Sequence, residues 1–229
     1  MSLINSTAIP SGATGYEIEQ SLRFEDGSSA YLNRTPSSSS NLKTWTWSCW
    51  VKRGNLGINN KLLGTTYVSQ SEFYFKFNAN DKLQYGSYSA GGGADNYTVV
   101  TTPVFRDTSA WYHIVFAWDT TQGTDTNRIK LYVNGERITS FDSTTYPPVN
   151  FNGYWNSSAY VHYIGTDEDI GSKFDGYLAE VNFIDGLAKS PSDFGETGTY
   201  GEWKPKAYSG SYGTNGFYLP FKQDYTVEG

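Results

Sequence analysis

The segment RIKLYVNGERIT, residues 128–139, is the strongest local signal in the chain, because its own residues predict a β-hairpin. Asn134 and Gly135 form an Asn-Gly pair between two runs of alternating apolar and polar residues. Such a pair supplies the two positive-φ positions of a type I′ turn, which joins antiparallel strands tightly. We therefore expect antiparallel sheet on both sides of residue 134.

Three neighbouring stretches extend the same pattern. TWTWSCWVKR (44–53) alternates and predicts a half-buried strand whose buried face carries Trp45, Trp47, Cys49 and Val51. EFYFKFN (72–78) places Phe73, Phe75 and Phe77 on one face and continues into a hairpin with the following DKLQYGSY. WYHIVFAWD (111–119) is apolar on both faces, which is typical of a central strand.

Composition agrees with an all-β chain. The 229 residues are 17% aromatic and 17% charged and include 24 glycines, which favours strands and turns over helices. We expect an antiparallel two-sheet β-sandwich, a jelly roll, with almost no helix. No linker divides the strand series, so residues 21–229 are predicted to form one domain after an N-terminal arm, residues 1–20.

Charge and cysteine content exclude several classes of function. The net charge of −6 argues against nucleic acid as a partner, since phosphate binding needs clustered Lys and Arg. Cys49 is the only cysteine, so the chain can form no internal disulfide and no cysteine-based zinc site. The first residues, MSLINSTAIPSG, lack the pattern of a signal peptide, and no stretch is apolar enough to predict membrane insertion.

The order of the motifs resembles the concanavalin A-like lectin/glucanase superfamily of laminin-G type. The ordered set is SLRF, TWTWSCWVKRG, WYHIVFAWD, IKLYVNGERIT, YIG and FDGYLAEVNFIDG, and the likeness covers about residues 21 to 221. The closing stretch SDFGETGTYGEWKPKAYSGSYGTNGFYLPF (192–221) is similar to lectin-like structural proteins of tailed bacteriophages, especially marine ones. The resemblance implies a component of the phage particle: a tail fibre, a knob or a capsid decoration at the virion surface.

KFDGYLAEVNFIDG (173–186) raises the question of catalysis. Retaining glucanases of this family carry a nucleophile, a supporting Asp and an acid/base on one strand, where Glu180, Asn182 and Asp185 stand here. An amide and a shortened acid replace two of the three groups, and retention needs two carboxyl groups roughly 5 Å apart. Strict alternation predicts a core face of Tyr177, Ala179, Val181 and Phe183, with Leu178, Glu180 and Asn182 opposite. We therefore expect a protein that is not an enzyme, with a glycoside hydrolase as the alternative.

Two loops are candidate glycan sites. Sugar sites combine an aromatic face with carboxylates and amides that bind hydroxyl groups. FNGYWNSS (151–158) offers Tyr154 and Trp155, and AWDTTQGTDTNR (117–128) offers Trp118, Asp119 and Asn127. These residues predict binding of a host cell-surface glycan, although loop aromatics also serve simply to cover the edges of a sandwich.

The sequence also offers a candidate calcium site and a candidate segment for assembly. Members of the superfamily often bind calcium at the rim of the sandwich, and GTDEDIG (165–171) offers Asp167 and Asp169 as weak candidate ligands without calcium-loop spacing. The arm is a candidate anchor to other virion proteins or to copies of the same chain. A purely architectural virion protein without glycan binding is therefore a further alternative.

Overall fold

A computed structural model describes residues 15–66, 72–88, 96–168 and 171–222. Within these ranges the chain forms sixteen β-strands and two short 3₁₀ turns, Asp125–Asn127 and Pro191–Asp193. The strands are β1 (Leu22–Phe24), β2 (Leu32–Arg34), β3 (Thr44–Arg53), β4 (Asn60–Thr65), β5 (Glu72–Phe77), β6 (Leu83–Tyr88), β7 (Tyr97–Thr101), β8 (Tyr112–Asp119), β9 (Ile129–Val133), β10 (Glu136–Arg137), β11 (Phe141–Thr145), β12 (His162–Ile164), β13 (Gly176–Asp185), β14 (Gly195–Thr197), β15 (Trp203–Pro205) and β16 (Phe217–Leu219).

Two seven-stranded antiparallel sheets pack face to face. The first sheet has the order β1-β13-β3-β8-β9-β10, and β16 also pairs with β13; the second has the order β11-β7-β6-β5-β4-β12-β2. A small third sheet joins β14 to β15. The expected all-β sandwich is confirmed, and the central position of β8 between β3 and β9 is confirmed with it.

The hairpin predicted at Asn134 and Gly135 is present. Asn134 and Gly135 have φ of 50° and 85°, and β9 pairs with β10 across them. Gly135 has a second reason to lack a side chain, because a Cβ there would lie 2.6 Å from the Trp203 ring. The turn residues therefore set the local chain direction and also allow the C-terminal part to approach.

The core lies between the two sheets and is strongly aromatic. The faces predicted from alternation supply it: Trp45, Trp47, Cys49, Val51, Phe73, Phe75 and Phe77 are all 0–2% exposed. Trp45 stacks on Phe116 with ring centroids 5.2 Å apart and on Trp118 at 5.7 Å. Such contacts add to the stabilisation from apolar burial, so the sandwich needs no disulfide.

The alternation predicted for β13 is wrong in its first half, because a β-bulge interrupts the strand. Register against β3 runs Leu178↔Val51 and Ala179↔Trp50, then resumes at Asn182↔Ser48. Glu180 stands in the bulge with φ of 52°. Because the bulge adds one residue to the strand, every strand residue before it lies on the sheet face opposite to the one that strict alternation predicts. Leu178 is consequently in the core, whereas Tyr177 is 38% exposed on the outer face.

The C-terminal part covers much of the outer face of the first sheet, meaning the face turned away from the core. Phe194 packs on Val115 and Ile184 with Tyr208 and Tyr212 around it. Trp203 contacts His113 at 5.9 Å between ring centroids. In the portion of the chain that the structure describes, no helix is long and apolar enough to cross a membrane.

Candidate functional site

An open cleft lies on the outer face of the first sheet, between the covering C-terminal part and the segment before β1. We call it the outer cleft; its volume is about 360 Å³. Trp50 on β3, Trp111 before β8 and Ala179 on β13 lie against the sheet side of the cleft, and Pro205 belongs to the C-terminal part. Residues 18–21 line the remaining side.

The outer cleft joins aromatic surface to polar groups. Trp50 is 8% exposed and stacks on His113, with ring centroids 5.0 Å apart, so its position is fixed from beneath. Trp111 is half-buried and lies 6.5 Å from the Tyr177 ring. Glu19, Gln20 and Ser21, whose side chains carry a carboxylate, an amide and a hydroxyl, also line the cleft. This combination suits the apolar face and the hydroxyl groups of a sugar ring.

Beside the cleft, Glu180 accepts two tyrosine hydroxyls. Tyr16 Oη donates to Glu180 Oε2 at 2.6 Å, and Tyr218 Oη donates to Glu180 Oε1 at 2.7 Å. The two hydroxyl oxygens lie 2.8 Å apart. Burial, together with hydrogen bonding to Glu180, raises the pKa of Tyr16 to about 12. Burial and hydrogen bonds to Tyr16 and Glu180 also raise the pKa of Tyr218. Both hydroxyls therefore stay protonated at neutral pH, as donation to Glu180 requires. We call this arrangement the tyrosine clasp.

Deeper on the same face, His113 is held by two hydrogen bonds. Trp203 Nε1 donates to His113 Nδ1 at 3.0 Å, so the ring hydrogen sits on Nε2 and is donated to Ser48 Oγ at 2.9 Å. Burial lowers the pKa of His113 to about 3. His113 is therefore a neutral ring with both nitrogens engaged in hydrogen bonds.

Asp185 lies on the opposite side of the sheet from Glu180. It pairs in register with Trp45, a core residue, and its carboxylate accepts from Asn156 Nδ2 at 2.6 Å and from the Asn215 amide at 3.0 Å. The carboxylate thus ties together loops at the end of the sandwich. Glu180 and Asp185 therefore do not face one another across a shared space, as the two carboxyl groups of a retaining glycosidase must.

The predicted loop 151–158 is turned inward. Trp155, a candidate glycan-binding residue, is 1% exposed, and its ring stacks on His162 with centroids 4.5 Å apart. Glycan binding by this loop stays a prediction. Trp155 lines an apolar cavity of about 300 Å³ between the sheet edges, together with Ile164 and Phe217. Tyr154 is half-buried against Phe151, with ring centroids 6.0 Å apart. The loop looked polar because the tertiary contacts that bury it are distant in sequence.

The second predicted loop lies beside the first and mainly braces it. Trp118 is fully buried and donates from Nε1 to the Leu42 carbonyl at 3.2 Å. Asp119 accepts from Gln122 Nε2 at 2.6 Å and from the Thr121 amide at 3.1 Å, which closes a local turn. Hydrogen bonding thus outweighs burial and lowers the pKa of Asp119, though burial alone would raise it. Asn127 is half-buried, with Oδ1 3.5 Å from Arg137.

The donor set proposed for calcium does not fit at Asp167. This side chain is 2% exposed, and its carboxylate forms an ion pair with Lys61, whose ammonium already supplies the compensating charge. Asp169 lies outside the described residues. Across the ranges that the structure describes, no three His, Cys, Asp or Glu side chains are grouped to hold a metal ion.

Sequence reasoning missed the outer cleft, although one signal for it was present. The alternation of residues 44–53 places Trp50 on the face opposite Trp45 and Trp47, where a bulky aromatic needs a partner or a ligand. No local sequence pattern indicates that Trp111, Ala179 and residues 18–21 lie close to Trp50. Their proximity depends on the bulge at Glu180 and on how the segment before β1 lies.

Comparison with known proteins places the fold. A family model described as "Concanavalin A-like lectin/glucanases superfamily" matches residues 26–193. No curated protein sequence matches the chain. A mutant NanB sialidase from Streptococcus pneumoniae is similar in structure, with a TM-score of 0.52 and 15% identity; the match covers 78% of this chain and 28% of the sialidase.

Two further solved structures have lower scores. The CBM40 of the Ruminococcus gnavus IT-sialidase gives a TM-score of 0.48 at 14% identity, over 70% of this chain and 95% of that one. The enzymatically active domain of the bacteriophage CBA120 tailspike protein 2 gives 0.49 at 14% identity, over 76% of this chain and 26% of that one. At these identities the likeness concerns the fold alone.

Proposed function

Because the chain belongs to the concanavalin A-like lectin/glucanase superfamily, we propose that it is a non-enzymatic, lectin-like component of a bacteriophage particle that binds a cell-surface glycan in the outer cleft. The single observation that carries glycan binding is the pair of tryptophans, Trp50 and Trp111, beside the polar groups of residues 19–21. A pyranose offers an apolar C–H face and a rim of hydroxyls, and the outer cleft offers complements to both.

The positions of the carboxylates support a role without catalysis. Both carboxylate oxygens of Glu180 accept hydrogen bonds from tyrosine hydroxyls. Asp185, on the core side, is committed to Asn156 and to the backbone of Asn215. In most glycosidase families, hydrolysis with either stereochemical outcome uses two carboxyl groups that flank one glycosidic bond. The fold alone does not decide between catalysis and binding, since both enzymes and binding proteins have it.

A place in the virion is supported by the sequence likeness of residues 192–221 to phage structural proteins. Those residues include β14 and β15, and Pro205 at the end of β15 lines the outer cleft, so this part of the chain adjoins the binding surface that we propose. The partners that we propose are other virion proteins, copies of the chain itself and a host glycan. Many copies on one particle would convert weak single-site binding into firm attachment.

The test is binding of the purified chain to an array of bacterial surface glycans and β-glucans, followed by titration of any hit. We expect a sugar-competable hit without release of reducing sugar. Trp111→Ala should weaken binding about tenfold or more, because it removes one stacking surface. Tyr200→Ala is the matched control, since Tyr200 is 93% exposed and lies outside the cleft lining.

Other outcomes separate the alternatives. Release of reducing sugar that Glu180→Gln abolishes would indicate a glycoside hydrolase. A silent array, with folding verified by circular dichroism, would indicate an architectural protein. Equal affinity of wild type and Trp111→Ala for the glycan would indicate that the glycan binds outside the outer cleft.

A further inference from the structure

The bulge in β13 gives two consecutive residues to the outer face. Ala179 lies against the outer cleft, and Glu180 directly after it carries the tyrosine clasp. In a regular strand these neighbours would point to opposite faces. The bulge therefore joins one side of the cleft and the clasp within two residues of one strand.

Glu180 maintains this geometry in an unfavourable backbone conformation. Its φ of 52° is left-handed, which glycine or asparagine adopts far more easily than glutamate. Strain of this kind persists where the surrounding contacts hold it and is concentrated at functional positions. If only the bulge mattered, glycine would suit this position better than glutamate. The Glu180 side chain therefore explains why glutamate is present, and in the contacts described above it accepts hydrogen bonds from Tyr16 and Tyr218.

One of those tyrosines belongs to the segment that lines the cleft. Tyr16 lies two residues before Ile18, the first residue of that lining, and residues 16–21 form no strand of their own. Glu19 also forms an ion pair with Lys222 at 3.0 Å, but both side chains are more than half exposed. Exposed pairs of this type stabilise little. The 2.6 Å hydrogen bond from Tyr16 to the carboxylate, in a part-buried setting, is the stronger attachment.

We propose that Glu180 is a positioning residue for glycan binding: through Tyr16 and Tyr218 it holds residues 16–21 in place, so that this segment completes the outer cleft. The inference rests on the proposed function and adds a coupling to it. If the docked segment favours glycan binding, then bound glycan must favour the docked segment by the same factor. The N-terminal segment and the binding site are thus linked through one carboxylate.

Two variants test the clasp. Tyr16→Phe removes one hydroxyl and retains the ring, and Glu180→Gln retains the size of the side chain but removes its charge. Tyr200→Phe is the matched control for loss of a tyrosine hydroxyl at an exposed position. For each protein, affinity for the array hit and amide hydrogen exchange of residues 16–21 are measured, and melting temperature verifies folding.

The inference predicts that Tyr16→Phe weakens binding roughly tenfold, since a hydrogen bond to a charged group is lost. It also predicts faster exchange in residues 16–21 in both variants, and slower exchange in wild type once the sugar is bound. If Glu180 and Tyr16 contributed only to stability, the variants would have a lower melting temperature. The difference in amide exchange of residues 16–21 between free and sugar-bound protein would then stay as in wild type.

The outcomes distinguish this inference from the proposed function. If wild type binds no sugar, both are overturned. If wild type binds, Trp111→Ala abolishes binding and Tyr16→Phe leaves it intact, the proposed function stands and the clasp inference is overturned. The clasp inference would also be overturned if amide hydrogen exchange of residues 16–21 were unchanged in both variants. Should Glu180→Gln fail to fold, Tyr16→Phe alone decides.

Discussion

His113 and His162 are the two histidines of the chain, and both are buried beside an indole ring. His113 stacks on Trp50 at 5.0 Å, and His162 stacks on Trp155 at 4.5 Å. Burial lowers both pKa values from 6.5 to about 3, with the Arg34 charge adding to the effect at His162. Each ring is therefore neutral in the folded protein at pH values where it is protonated in the unfolded chain.

These residues predict that the protein loses stability in acid. Between pH 6.5 and about 3 the unfolded state binds more protons than the folded state, so the free energy of unfolding falls as the pH falls. The contribution is complete above pH 6.5. Going from pH 7 to pH 5 should remove about 4 kcal/mol for the two histidines together. Denaturant titrations at the two pH values measure the difference.

His113→Asn provides the control for this prediction. The Asn Oδ1 can accept the Trp203 indole hydrogen that His113 Nδ1 now accepts, and asparagine does not titrate. The variant should show about half the fall in free energy of unfolding between pH 7 and pH 5, whatever its absolute stability. A fall equal to that of wild type would contradict the assignment to His113.

Elements differ in how far sequence alone predicts them. The strand around Trp45 and Trp47 and the hairpin at Asn134-Gly135 were predicted correctly, because alternation and turn residues are local signals. The facing of Leu178 was not, since the bulge at Glu180 has no glycine to mark it. The burial of Trp155 could not be read from its polar loop for a related reason: the core that covers it comes from residues distant in sequence.

The hairpin between β9 and β10 supplies a prediction at this scale. Gly135→Ala should lower the free energy of unfolding by about 2 kcal/mol, because it adds both a strained positive φ and a clash. The φ is 85°, and the new Cβ would lie 2.6 Å from the Trp203 ring. Thermal unfolding measures the loss.

Gly123→Ala is the matched control for the hairpin. A Cβ at Gly123 meets nothing within 4 Å, and its backbone is not left-handed, so the change should be within about 0.5 kcal/mol. Equal melting temperatures for the two variants would show that neither the turn conformation nor the approach of Trp203 matters to stability.

At the scale of the whole molecule, the two ends of the described chain meet on one face of the sandwich. Residues 16–21 and Pro205 lie on either side of the outer cleft, and the sheet between them supplies Trp50 and Ala179. Sequence patterns predicted the sandwich correctly. They also predict a glycan at the loops of Tyr154 and Trp118, whereas we propose that the glycan binds in the outer cleft. A site assembled from segments so far apart needs coordinates, because no local pattern encodes which outer face remains open.

The position of a bound sugar shows whether the outer cleft is the glycan site. We would determine the crystal structure of the chain with the best oligosaccharide from the array. We expect a sugar ring against Trp111 and Trp50, with hydroxyls directed to residues 19–21. A sugar bound instead at Tyr154 and Asn127, or in the apolar cavity beside Trp155, would contradict the outer cleft as the glycan site.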